Sequence, residues 1–175
     1  WTTSNIPIVD EKGVVQYFIH CPSDVTQIIK LQERERQGIE ALRAQREQLF
    51  SIFMQAPVAI GIFKGPDFVV EFINPQLCKL YGKTRDELLN KPLFEVITEA
   101  KGLGFEQLLD KVRVTGEPFK GESILVPLKR NNDIEQVYVD FIYEPFREYD
   151  GSITGVIAVA LEVTSLVKAN LKVAE

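Results

Sequence analysis

The apolar positions of this chain change period along its length. A β-rich run, VVQYFIH, ends near residue 20, and from Val25 the spacing becomes alternate steps of three and four through Val25, Ile28, Gln32, Glu35, Ile39, Leu42, Arg46, Leu49 and Phe53. Most of these positions are apolar, as in a heptad seam. The segment contains no Pro and its one weak helix former is Gly38, so the spacing predicts one long helix with Ile28, Ile39, Leu42, Leu49 and Phe53 along its seam. Polar Gln32, Glu35 and Arg46 weaken such a seam but fix its register. The stretches QERERQ and RAQREQ mix charge signs, as a solvated helix face does. Two readings stay open here: a parallel coil with a second copy, or an amphipathic helix lying on its own domain.

After Phe53 the period shortens. APVAIGIFKGPDFVVEFIN reads as two strands joined at Gly65-Pro66. Asn74-Pro75 supplies an N-cap and a Pro at the first helical position, and Gly82 closes that short helix. Thr84 and Glu87 form a capping box for a second helix that is expected to stop at Asn90. A third carries Phe105, Leu108, Leu109 and Val112 on one face and ends at Gly116. Three strands follow: ESILVPLKR, EQVYVDFIYEP and SITGVIAVALEV. This order predicts an α+β fold, a five-stranded antiparallel sheet with helices on one face, preceded by a long connecting helix.

Alternation assigns Ile124, Val126, Leu128, Val137, Val139, Phe141 and Tyr143 to the helix-facing side. In the last strand Ile153, Ile157, Val159 and Leu161 alternate with Val156, Ala158 and Ala160, so neither face is polar and both need cover. Small Ala158 and Ala160 are assigned to the outer face, where the connecting helix or a second subunit approaches; a homodimer is expected. If the interior holds a cavity for an unidentified small molecule, Asn74, Leu77, Tyr81, Phe94, Val126, Phe141 and Ile157 are the expected lining. A closed core with no ligand is the alternative, because large apolar side chains fill space as readily as they line it.

The triplet Asp24-Val25-Thr26 returns as Glu162-Val163-Thr164, an offset of 138 residues, the interval from Thr26 to Thr164. The same offset aligns Pro7 with Pro145 and Gly13 with Gly151. Each copy runs from Pro through a polar turn to a β-rich run and then the triplet. Either two hairpins coincide, or one domain is nearly absent and the other whole. An acidic or Thr side chain at each triplet can cap the first turn of the helix that follows.

Together FINPQLCKLYGKTRDELLNKP, VTGEPFKGE, YEPFREYDGSITGV and LEVTSLV resemble the PAS sensory domains of bacterial signalling proteins, in particular those of sensor histidine kinases. The resemblance implies a strand hairpin of an upstream PAS domain over 1–26, a connecting helix over 27–50, a complete PAS domain over 51–167 and the start of an output helix over 168–175. It implies a sensor in which a ligand or partner acts on the sheet and the triplets hand the change to coiled helices, with a kinase module later in the same chain. A ligand-free spacer that dimerises and relays is the alternative. Some PAS domains hold haem through a His on the third helix, but FEQLLDKVRV has none and His20 aligns with Ala158. Light-sensing relatives use an Asn-Cys-Arg motif where this chain has LNKPLFEVITE, and Cys78 lies elsewhere. Haem and covalent flavin are therefore not expected, non-covalent flavin stays open, and no cofactor is assigned.

A net charge of −5 offers no basic stripe for phosphates, so neither nucleic acid nor an anionic membrane surface is an expected partner. No spanning-length apolar run or signal peptide is visible, which points to a cytoplasmic piece. Its opening on Trp1 suggests a fragment or processed product, leaving a membrane-attached parent open. Cys21 and Cys78 read as reduced thiols. No phosphate loop, metal-ligand cluster or nucleophile-base pair appears, so no catalytic residue and no metal site are expected, and the segment reads as a non-enzyme. Glu71, Asp140 and Glu144 are read as outward strand carboxylates, with an unrecognised enzyme of the same shape as the rival.

Overall fold

The computed structural model describes residues 1–130 and 133–173. It divides into two compact units, Trp1–Phe50 and a larger one from Ser51 onward. In the first, β1 (Thr2–Val9) pairs antiparallel with β2 (Val15–Ser23). The turn between them is held by the Asp10 carboxylate, which accepts from the amides of Lys12 and Val14 at 2.9 Å, and by Gly13 at φ 78°. Helix α1 (Thr26–Gln55) follows, and none of its residues is buried. Its seam residues Ile28, Ile39, Leu42, Leu49 and Phe53 are 48–70% exposed.

The second unit contains β3 (Ala59–Lys64), β4 (Val69–Ile73), α2 (Pro75–Tyr81), α3 (Arg85–Leu88), α4 (Leu93–Val96), α5 (Phe105–Thr115), β5 (Phe119–Arg130), β6 (Asp133–Arg147), β7 (Ile153–Glu162) and α6 (Thr164–Val173). The five strands form an antiparallel sheet in the order β4-β3-β7-β6-β5. The helical segments carry the chain from one sheet edge to the other. They comprise four α-helices rather than three, because LFEV makes a turn of its own at α4, and a 3-10 turn at Thr98–Ala100. Of the output segment expected over 168–175, positions 174 and 175 lie outside the described residues.

Local chemistry explains the helix ends. Asn74 caps α2 through its side chain, Pro75 opens it, and Gly82 at φ 63° ends it. Thr84 and Glu87 form the reciprocal box on α3. That helix stops at Leu88, before Asn90. Asn90 still takes the left-handed conformation, φ 59°, and its amide donates to the Val70 carbonyl at 2.8 Å. Gly116 at φ 71° ends α5.

The last strand corrects the face assignment made from the sequence. Residues paired across antiparallel strands share a face. Ala158 pairs with Gly61 and Tyr143, and Ala160 with Ala59 and Phe141. Ala158 and Ala160 therefore point into the core, at 4% and 9% exposure, and are not on the outer face. Ile157 pairs with Ile62 and Glu144 and points away from the helices. Alternation alone cannot orient a strand that is apolar on both sides; register against its neighbours does. The small inner residues have a packing role, because a side chain at Gly61 would meet the Leu77 Cδ2 atom at 2.6 Å. Gly61, the partner of Ala158, lets α2 lie close against β3.

Candidate functional site

Between the inner sheet face and the helices lies a cavity of about 50 Å³. From α2 it is lined by Leu77, Leu80 and Tyr81, and from α4 and its surroundings by Leu93, Phe94 and Ile97. The sheet contributes Val126, Val139, Phe141, Tyr143, Ala158 and Ala160, among others. Of the expected lining, Leu77, Tyr81, Phe94, Val126 and Phe141 stand at the cavity, whereas Asn74 and Ile157 do not. Tyr143 was absent from that expectation although it follows Phe141 by two, the spacing that puts it on the same face. Phe141 centres an aromatic group, 4.7 Å from the Tyr143 ring and 6.0 Å from both Phe105 and Phe119.

Burial pushes the phenols of Tyr81 and Tyr143 far above the usual tyrosine value, so both are protonated at any physiological pH. Burial likewise raises the Cys78 thiol, against the opposing charge of Arg85. That combination describes an inert thiol. Among the described residues no cluster of three or more His, Cys, Asp or Glu could hold a metal ion.

Asn74 is fully buried and acts as a joint. Its Oδ1 accepts from the Leu77 amide at 3.0 Å and the Ile60 amide at 2.9 Å. Its Nδ2 donates to the carbonyls of Val58 at 2.8 Å and Phe53 at 3.3 Å. One amide side chain thus ties the last turn of α1, the entry to β3 and the first turn of α2, with its hydrogen-bonding capacity used on backbone. Phe53 adds an edge contact to Phe72 at 6.3 Å, on the outer sheet face.

Both triplets are helix starts. Asp24 Oδ1 accepts from the Thr26 amide at 2.9 Å and its hydroxyl at 2.6 Å, and the Val25 carbonyl accepts from Ile29 at 3.0 Å. At the second, Thr164 Oγ1 donates to Glu162 at 3.0 Å and accepts from the Tyr138 amide at 3.0 Å, while Val163 donates to the Tyr138 carbonyl at 2.8 Å. The second junction also has a lock that sequence reading missed. Arg130, at the end of β5, donates from Nε to the Leu80 carbonyl at 2.9 Å and from Nη2 to Glu162 at 2.9 Å. Burial pushes the Glu162 carboxyl up, but the hydrogen bonds from Arg130 and Thr164 outweigh it and hold the group below its ordinary value. No spacing rule links residues 80, 130 and 162; the strand order and the packing of α2 on the sheet bring them together.

A family model described as PAS fold matches residues 53–168, more than half of the chain. The chain belongs to the PAS family. PAS domains are sensory and regulatory modules, and solved PAS structures share the fold. A Vibrio cholera VqmA–ligand–DNA complex is 25% identical, with a TM-score of 0.57 over 67% of this chain and 51% of that one. An RNA-binding light-oxygen-voltage receptor is 18% identical, with a TM-score of 0.60 over 99% of this chain and 42% of that one. The PAS domain of a Colwellia psychrerythraea protein is 16% identical, with a TM-score of 0.55 over 68% and 97%. The chain spans about half the length of the VqmA chains it matches. No helix among the described residues is long and apolar enough to cross a membrane.

Proposed function

We propose that this chain is the sensory and dimerising PAS module of a cytoplasmic bacterial signal-transduction protein, relaying a ligand or partner signal through β7 to the flanking helices. The carrying observation is the Arg130 lock: the guanidinium that holds the α2 carbonyl at Leu80, beside the cavity wall, also holds Glu162, which receives the Thr164 hydroxyl at the start of α6. A shift of α2 by an occupant of the cavity would be felt at the output helix. At the input side, Asn74 ties α2 to the end of α1.

The homodimer is supported by the exposed seam of α1 and by Ile60, Ile142, Ile157, Val159 and Leu161 on the outer sheet face, of which Ile142 and Leu161 are 38% and 48% exposed. The parent is read as a histidine kinase from the motif resemblance, its catalytic module following this segment, with no catalysis by the segment itself. The net charge of −5 gives no support to nucleic acid as a partner.

One observation favours a second reading, a ligand-free PAS spacer that dimerises and relays: the cavity is only about 50 Å³, small beside the ~300–1,000 Å³ usual for ligand pockets. Visible absorption and native mass spectrometry of purified protein separate the two. A stoichiometric bound compound supports sensing, and repeated failure with candidate ligands supports the spacer. Light scattering that shows only monomer at high concentration removes dimerisation from either.

A further inference from the structure

Among the described residues that line the cavity, Tyr81 and Tyr143 alone supply polar side-chain atoms, every other lining side chain being hydrocarbon. Both residues are half-buried and line the cavity. Neither hydroxyl has a hydrogen-bond partner among the described residues, so both are free to bond an occupant of the cavity. They come from different elements, the last residue of α2 and the middle of β6, and line the same cavity. Both stay protonated, so each offers a donor.

We infer, resting on the sensing reading, that Tyr81 and Tyr143 orient the ligand, and that the ligand is a small, neutral, mostly apolar molecule presenting a carbonyl-type oxygen to their hydroxyls. Neutrality follows from the wall: it carries no charged side chain, and an ion there would lose its hydration without a counter-charge. A carbonyl oxygen has two lone pairs and accepts from two donors. Small size follows from the cavity volume of about 50 Å³, well below the ~300–1,000 Å³ of pockets that take drug-sized ligands.

The test uses two probes of one shape, acetone and 2-methylpropene, titrated into the full chain while amide signals of Ala158 and Ala160 are followed by NMR. Tyr81→Phe and Tyr143→Phe each weaken acetone binding about threefold to tenfold and leave 2-methylpropene within about twofold. Independently of any variant, the carbonyl carbon signal of bound acetone moves downfield in the wild-type chain, the signature of an accepted hydrogen bond. If acetone binds both variants as tightly as wild type, or its carbonyl signal does not move, the tyrosine assignment is wrong while the cavity reading stands. If neither probe reaches the folded wild-type cavity, the sensing reading itself fails and takes this inference with it.

Discussion

The hairpin β1–β2 and the hairpin β6–β7 are one pattern folded twice, 138 residues apart, with different fates. Their registers coincide pair by pair: Thr2 faces Ser23 as Asp140 faces Leu161, and Pro7 faces Phe18 as Pro145 faces Val156. Their turns coincide as well. Gly13 donates to Asp10 and Gly151 to Glu148, each at 2.9 Å, and the two glycines have φ of 78° and 84°. Burial differs completely, since Phe18 is 66% exposed and its counterpart Val156 is 0% exposed. At the inner position where β6–β7 sets Tyr143 beside Ala158, β1–β2 sets Asn5 beside His20, joined at 2.8 Å. Turn and register are therefore local properties of the repeated pattern, whereas the apolar wall belongs to the copy that helices cover.

The largest expected difference between the copies is at Phe141 and its counterpart Thr3. Phe141→Ala removes the centre of the aromatic group and costs about 3–5 kcal/mol, while Thr3→Ala changes stability by less than about 0.5 kcal/mol. Urea denaturation followed by tyrosine fluorescence measures both, and comparable losses would make the first hairpin part of a packed core. Val156→Ala against Phe18→Ala is the next pair. The first costs about 2 kcal/mol from the lost apolar contacts, and the larger truncation at Phe18 costs less than about 0.5 kcal/mol.

The junctions give smaller effects. Arg130→Met keeps the aliphatic stem but loses the lock, and the cost is about 1 kcal/mol after allowance for the part-exposed Glu162. Amide exchange at Val167, which bonds to Val163 at 2.9 Å, then quickens about fivefold. Asp24→Ala quickens exchange at Ile29 by less, because among the described residues Asp24 is bonded to Thr26 and to no guanidinium. Unchanged exchange at Val167 would disconnect Arg130 from the output helix. The smallest effect is acid loosening of α6. Glu162 has a folded value below its unfolded one, so its contribution is complete above the unfolded value of about 4.3 and is lost as pH falls through the folded value. Protection at Val167 therefore declines below about pH 4, and Glu162→Gln removes that step.

Much of the fold was legible because its signals are local. The Asn74 cap, the Thr84–Glu87 box and the ends at Gly82 and Gly116 each depend on chemistry within a few residues. The cavity was legible where a strand or helix had one apolar face, as at Leu77 and Val126. It was misread where that condition failed. Asn74 is not at the cavity because its side chain is spent on Val58, Ile60, Leu77 and Phe53. Ile157 and the Ala158–Ala160 pair were exchanged between faces because β7 is apolar on both.

By itself the sequence determined the element order, the turns, the caps and the twofold hairpin-to-helix pattern, since each rests on residue types a few positions apart. Tertiary structure alone decided which way β7 faces, which two tyrosines reach one cavity, and that Arg130 joins Leu80 to Glu162. Those outcomes depend on strand register and sheet order, which bring together residues separated by dozens of positions, and no local periodicity encodes such a meeting.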